Sequence, residues 1–408
     1  MQSGIYNVTI DKSATINNSA MRKRKYIMID NYTNSAIATN HERDIDLLLI
    51  TGAGASREFG KNNQPMPLMG DWVNVLVDKL FSKNSLYSEA SGLRKDMTGP
   101  EFEEQLGLFL RQVAFLSILE SLLEPSCFFP PVAMLPNSEQ IKTWHKNTVF
   151  HLEEIVGVIR ESLYEEFSSE KSDIDKATKS YRQLFEVLGI TSGSQLVYAT
   201  TNYDLIGETA IGKLGYLPDW GVAPHLVNMT EPPLYVDNIL DGMPRYVPVL
   251  HLHGRIGWYR RTDFMGKATP PYCISATKYN KDLGTPIVML PDPDKTYDKD
   301  DVISSTWRQF TEALRRAKAV LVLGHSLHDK TLVETIRSNV DPRRVGITIL
   351  PSEDRMGGQD GNSTGETIEQ IFGNNAKIIM RFGSEKEDEI RQGQENLGKW
   401  QNMLEDLK

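Results

Sequence analysis

Asp46-Leu47-Leu48-Leu49-Ile50-Thr51 is a short apolar run, and Gly52-Ala53-Gly54-Ala55-Ser56 follows it at once. An apolar run without polar alternation suits a strand buried on both faces, and a glycine-rich turn is how such a strand hands over to a phosphate-binding loop. From Trp72 to about Leu188 the period changes. Phe102, Leu106, Phe109 and Val113 recur at helical spacing, as do Val149, Leu152, Val156 and Ile159. Strand-like runs return at Gln195–Thr200, Val247–Leu252, Ala319–Leu323, Gly346–Leu350 and Lys377–Met380. Helical patterns lie between several of them, at Asp301–Arg316 and Thr331–Ser338. This alternation predicts an α/β fold with a doubly wound, mainly parallel sheet and a large helical insertion at about 72–188.

The two ends carry less. Residues 1–43 are rich in Asn, Ser and Thr with no sustained period, and read as an N-terminal arm. Glu385–Leu407 reads as a charged amphipathic helix closing a C-terminal α/β extension over 356–408.

Composition narrows the class. The chain has 408 residues, 40% hydrophobic and 24% charged, which is ordinary for a globular protein. Its net charge of −9 offers no basic excess for a nucleic-acid duplex; the one compact basic run is Arg22-Lys23-Arg24-Lys25. The two cysteines, Cys127 and Cys273, are too far apart in sequence to form a Cys-x-x-Cys zinc pair. With no signal-like start and no apolar run approaching the roughly 20 residues that span a bilayer, the expectation is a reduced cytoplasmic protein without membrane contact.

Four segments sit at or just after predicted strands, where open α/β sheets bind ligands. Gly52-Ala53-Gly54-Ala55-Ser56 is either a phosphate cradle or only a tight turn. In Thr200-Thr201-Asn202-Tyr203-Asp204, the Asn and Asp are either helix caps or ligand contacts. Asn202 suits orientation of a water or a ribose hydroxyl, and Asp204 suits accepting a hydrogen bond from a carboxamide. In Leu250-His251-Leu252-His253-Gly254, strand alternation puts both imidazoles on one side. His253 is assigned acid/base work, and His251 a packing or supporting role. No nearby carboxylate or Cys completes a metal spacing. In Leu323-Gly324-His325-Ser326-Leu327-His328-Asp329, small polar residues follow a strand, as phosphate contacts or as a cap.

In this order the four segments resemble the sirtuin superfamily over roughly residues 45–355. The resemblance implies a Rossmann-like NAD-binding domain at 44–355. It assigns Gly52, Ala53, Gly54, Ser56, Thr201, Asp204, Gly324, His325 and Ser326 to the dinucleotide, and Asn202 and His253 to catalysis at the nicotinamide ribose. The four-Cys zinc module of protein-deacylating sirtuins is absent, as is their Pro-Asp-Phe-Arg segment; here Asn63-Gln64-Pro65-Met66-Pro67-Leu68-Met69-Gly70-Asp71-Trp72 stands in that place. With these departures the chain is similar to sirtuin-like NAD hydrolases of bacterial anti-phage defence, especially the type that partners a HerA-type ATPase, and less to those tied to short Argonautes. The resemblance implies NAD as substrate, no metal, nicotinamide and ADP-ribose as products, a homo-oligomer and a separate partner protein. Alternatives are an NAD-dependent deacylase and a non-catalytic NAD or ADP-ribose sensor.

Overall fold

The computed structural model describes residues 44–123, 138–221, 246–262, 267–274, 278–292, 297, 300–325, 327, 329–341, 343, 345–350, 367–368, 370–373 and 376–380. The expected N-terminal arm, the expected helix at Glu385–Leu407, Cys127 and Ser326 lie outside them.

Strand β1 (Ile45–Thr51) opens the described chain and hands over to the one-and-a-half-turn helix α1 (Ala53–Arg57). Helices α2 (Met69–Lys83), α3 (Ser85–Ser91), α4 (Gly99–Leu123), α5 (Ser138–Glu166) and α6 (Ile174–Val187) follow. Next come β2 (Leu196–Thr200), α7 (Ile206–Lys213), β3 (Leu217–Asp219) and β4 (Tyr246–His251). Three strands make a small second sheet, β5 (Gly254–Arg260), β6 (Tyr272–Cys273) and β7 (Thr285–Val288). The chain then returns through α8 (Asp301–Arg316), β8 (Ala317–Leu323), α9 (Lys330–Asn339), β9 (Val345–Leu350) and β10 (Ala376–Met380).

The main sheet has the order β10-β9-β8-β1-β2-β4-β3, and every neighbouring pair is parallel. The fold is a doubly wound, Rossmann-like α/β domain. Its two faces bury alternate residues of the same strands. Leu48, Ile50, Val197 and Ala199 enter a core with Phe310 and Leu314 of α8 and Leu332 and Ile336 of α9. Leu47, Leu49, Leu196 and Tyr198 enter the opposite core with Tyr181 and Leu184 of α6 and Ile206 and Ala210 of α7. Each fully buried Leu or Ile stabilises the fold by about 1.5–3 kcal/mol relative to exposure. Burial on both faces is why the strands read as unbroken apolar runs rather than as alternating ones.

The helical stretch divides physically. Helix α6 covers the main sheet, and the capping carboxylate of Asp173 accepts from the Lys176 N–H at 3.0 Å at its start. Helices α2, α4 and α5 share a different core: Trp72, Leu76 and Leu80 meet Phe102, Leu106 and Phe109, and Ile155, Ile159 and Leu163. Trp72 donates its indole N–H to Ser162 at 2.9 Å, which fixes α2 against α5. That core continues into Ile256, Tyr259 and Tyr272 of the small sheet and Tyr203 after β2. The insertion is therefore packed onto the domain beside the second motif.

The antiparallel β6-β5-β7 sheet is not predicted by the sequence pattern. β6 has only two residues, too few for any period. β5 begins at Gly254, whose φ of 79° and close approach to the Ile287 carbonyl exclude a side chain.

Candidate functional site

Strands β8, β1, β2 and β4 are contiguous and parallel, so the turns that follow them lie along one edge of the sheet. From β1 the chain proceeds to β2 on one side and later returns to β8 on the other. The edge between β1 and β8 is thus the topological switch point, where a crevice opens in folds of this kind. The described residues of all four sequence motifs occupy these turns.

The first and fourth turns interlock. Gly52 N–H donates to Leu323 O at 3.0 Å and Gly54 N–H to Gly324 O at 2.8 Å. A Cβ on Gly52 would stand 2.7 Å from His325 Cα, and one on Gly54 2.8 Å from Gly324 O. Gly324 has φ of 59°, and a Cβ there would sit 2.0 Å from Ala55 N. The glycines assigned to a dinucleotide are therefore required first by one another. Ala53 stays exposed at the lip of the turn, whereas Ser56 is buried. The Asn63–Trp72 stretch folds back on α1, where Arg57 bonds Asp71 at 2.6 Å. His325 is half-buried; its Nδ1 accepts from the Leu327 N–H at 2.8 Å, which makes Nε2 the protonated nitrogen of the neutral ring. Leu327 itself has φ of 55°, a strained conformation for a γ-branched residue, held by its buried side chain.

The second turn is tied to the first. Thr201 N–H donates to Thr51 O at 3.2 Å, and Asn202 N–H to Thr200 Oγ1 at 3.0 Å. Asn202 Nδ2 donates to Gly52 O at 2.9 Å and to Ser56 Oγ at 3.1 Å. The Gly52 carbonyl can only accept, so it fixes which end of the amide is nitrogen. Both amide protons of Asn202 are thereby committed, which leaves Oδ1 as the atom it can offer to a water or a ribose hydroxyl, as an acceptor. Ser56 in turn bonds Asp204, and Asp204 Oδ1 accepts from the Ile206 N–H at 3.0 Å. Asp204 is buried at 6% exposure, with its Oδ1 on the first N–H of α7. Burial pushes its carboxyl up to about 6, with Glu208 adding to the rise, against the lowering bonds from Ile206 and Ser56.

The third turn separates its two histidines. β4 ends at His251, one residue before the predicted strand end, and Leu252-His253 lie in the turn. The expected common side is lost with the strand geometry. His251 Nε2 bonds Glu208 at 2.7 Å and its ring packs edge-on to Trp258. Glu208 also accepts from Arg255 and from Trp220 Nε1 at 2.9 Å, and the Arg255 guanidinium lies 4.7 Å from the Trp220 ring centre. Burial opposes the charge on Glu208, but Arg255 and His251 outweigh it and hold the carboxyl down at about 2. Burial lowers His251 below the usual imidazole range, against the pull of Glu208.

His253, 6% exposed, reaches a different carboxylate: its Nε2 lies 3.2 Å from Asp329 Oδ2, which also accepts from the Tyr297 hydroxyl at 2.9 Å. The Tyr297 ring stacks parallel to the imidazole at 6.2 Å, and Tyr203 lies 6.5 Å away on a tilt. The Tyr203 hydroxyl donates to Met289 O at 2.8 Å, and Met289 N–H donates to His253 O at 2.8 Å. Asp329, Tyr297, Glu208 and Arg255 were given no role by the sequence. Asp329 closes the fourth motif and was legible as a polar residue near a strand end; Tyr297 stands in an aperiodic stretch with no signal. Among the described residues no group of three or more His, Cys, Asp or Glu is placed to hold a metal ion, and no helix is long and apolar enough to cross a membrane.

No family model matches this chain, and no curated protein matches it. Solved structures that match it include Sir2 enzymes and Sir2 homologues. One, described as a structural basis for the mechanism and regulation of Sir2 enzymes, is 13% identical over 90% of this chain and 94% of that one, with a TM-score of 0.31. A Sir2 homologue–NAD complex is 15% identical over 87% and 91%, with a TM-score of 0.33. A mutant Sir2 homologue in complex with ADP ribose is 14% identical over 90% and 95%, with a TM-score of 0.33.

Proposed function

We propose that this protein binds NAD at the β1/β8 switch point and hydrolyses its nicotinamide–ribose bond to nicotinamide and ADP-ribose. The observation that carries the proposal is the convergence of Gly52-Ala53-Gly54, Thr201-Asn202, His253 and Gly324-His325 on one sheet edge, with Asn202 and His253 each held by hydrogen bonds.

The chemistry follows from what each group still offers. The ring nitrogen of bound NAD is cationic, so the C–N bond breaks with its electron pair leaving on nicotinamide. Positive charge then develops on the ribose, and a water oxygen attacks that carbon. Asn202, with its donors committed, uses Oδ1 to accept from that water and aim its lone pair. His253 takes the released proton, directly or by way of a ribose hydroxyl. Acid/base help of this kind contributes about 10²–10⁴-fold in rate. Ala53, Thr201 and His325, in the turns along this edge, would meet the phosphates and riboses, together with Ser326.

The order of the motifs, the absence of a zinc module and the sirtuin resemblance support a biological role as an NAD-depleting effector of anti-phage defence. In that role the chain would act as a homo-oligomer in the cytoplasm together with a separate HerA-type ATPase. The test is to incubate the purified chain with NAD, alone and with such a partner, and to follow nicotinamide and ADP-ribose. Stoichiometric release of both without acylated peptide is the expected result. Release only on adding an acyl-lysine peptide would make the protein a deacylase, and binding without release would make it a sensor.

A further inference from the structure

The geometry points to Asp329 as the positioning residue that fixes the tautomer of His253, so that the imidazole works through Nδ1. The inference rests on the hydrolase proposal for its kinetic consequence, but not for its structural content.

Among the described residues, three donors surround the Asp329 carboxylate. Its Oδ1 caps α9 by accepting from the Leu332 N–H at 3.1 Å. Its Oδ2 receives the Tyr297 hydroxyl at 2.9 Å and faces His253 Nε2 at 3.2 Å. An ionised carboxylate only accepts, so the His253 nitrogen facing it is the one that carries hydrogen. The neutral ring then has its lone pair on Nδ1. Ring rotation is restrained by the Tyr297 stack, and Tyr297 is itself held at 4.1 Å from the Trp307 ring. Trp307 donates to Leu252 O at 2.8 Å, next to His253 in the chain. The imidazole is thus oriented by groups from three elements: the β8–α9 turn, the segment before α8, and Tyr203 after β2. Among the described residues, the charged groups around it are Asp329 and, farther off, Glu103 of α4, whose field reaches Tyr203 and Tyr297.

Asp329→Asn tests this sharply because the three donors differ in freedom. The Leu332 N–H is a backbone donor and cannot change its role. The Tyr297 hydroxyl can turn, and the imidazole can exchange tautomers. The amide oxygen of the variant therefore stays on the cap, and its NH₂ takes the place of Oδ2. It then donates to His253 Nε2, which moves the ring proton to Nδ1 and removes the base, as a tautomer switch does in carboxylate–histidine pairs generally.

The experiment is long-range ¹H–¹⁵N correlation on full-length wild-type and Asp329→Asn protein, with His253 assigned from its loss in His253→Gln. Nicotinamide release is measured on the same samples. The expected result is an Nε2–H ring in the wild type, an Nδ1–H ring in the variant, and turnover lowered by about 10²-fold or more with little change in KM. A wild-type ring protonated on Nδ1 would overturn the inference, even if the variant fails to fold. So would an Asp329→Asn protein with an unchanged tautomer and full turnover. The expected tautomers in a protein that releases no nicotinamide would uphold the role of Asp329 and overturn the hydrolase proposal instead.

Discussion

Replacing Asp204 by Asn should stabilise the protein at neutral pH and above, and the gain should vanish in acid. Asp204 is buried, and its carboxyl titrates near 6 instead of the ordinary 3.8, chiefly through burial and secondarily through Glu208. At about 1.4 kcal/mol per pH unit, that gap is about 3 kcal/mol against the ionised form. The sign is that of a raised acid: the folded state holds its proton more tightly than the unfolded state. Folding is therefore penalised above pH 6, and the penalty is relieved as pH falls from about 6 towards 4. Asparagine keeps the Ile206 cap through its oxygen. It reverses the Ser56 bond, because Ser56 Oγ would then receive donors from both Asn202 and the new amide; disturbing one such bond costs about 1 kcal/mol. The net expected gain is about 2 kcal/mol at pH 8, changing sign to a loss of about 1 kcal/mol near pH 4.

The assay is urea unfolding of both proteins at each pH from 4 to 8, read as the difference between them. The difference matters because two other groups oppose Asp204. His251, lowered by burial, loses stability as pH falls below its unfolded value near 6.5. Glu208, held near 2, does so below its unfolded value near 4.5. The His251 contribution is common to both proteins and cancels in the subtraction; the Glu208 contribution cancels apart from its repulsion with Asp204, which the variant loses and which adds to the expected gain above pH 6. An Asp204→Asn protein less stable than wild type at pH 8, or a difference independent of pH, would mean that Asp204 is not a buried ionised carboxylate.

The remaining perturbations target the interlock, the buried pair and the chemistry. Gly324→Ala should unfold the protein or lower its stability by about 3 kcal/mol, since a Cβ meets Ala55 N at 2.0 Å; Gly215→Ala, also at positive φ but with open space around it, should cost about 1 kcal/mol in the same melt. Glu208→Gln should cost about 3–5 kcal/mol by leaving Arg255 buried without its anion, seen as a lower urea midpoint at pH 7. His253→Ala should lower nicotinamide release by about 10²–10⁴-fold, and should also cost about 1–3 kcal/mol, because the side chain is buried and Asp329 loses a donor. Asn202→Ala should abolish release too, and should also cost about 1–3 kcal/mol, because it leaves the Gly52 carbonyl and Ser56 short of a donor.

What was legible in the sequence follows from which forces act locally. The strands β1, β2, β4 and β8 announce themselves because both their faces are buried, and helix α8 because one of its faces is. Their strand ends mark where the turns of one sheet edge lie, so the four motifs could be placed together without any knowledge of distance. The small antiparallel sheet escaped because β5 carries Arg255 in its interior and two positive-φ glycines, while β6 has no length. Buried charge pairs escaped for a different reason. His253 and Asp329 stand 76 residues apart, and Arg255 and Glu208 47 apart. No periodicity links such partners; only the strand order brings them together.

That strand order also sets two competing uses for the polar side chains in these turns. A polar residue after a parallel strand has two competing uses: it can face a ligand, or it can satisfy the backbone of the neighbouring turn. Asn202, Ser56 and Asp204 spend most of their hydrogen-bonding capacity on the second use, tying the β2 turn to the β1 turn. Under the proposed hydrolysis, a group held this way would have little freedom to reorient, as a reaction needing a water at one fixed angle to a ribose carbon requires. The helical insertion extends the same restraint, since Tyr203 lies in its core and approaches His253 from the neighbouring turn. Loosening that core, for example by Phe167→Ala, removes the edge-on partner 5.6 Å from Tyr203 without touching either catalytic side chain. If the insertion positions the site, this variant should lower kcat more than it raises KM. Equal kcat in a protein destabilised by the expected 3–5 kcal/mol would show the insertion to be a cover only.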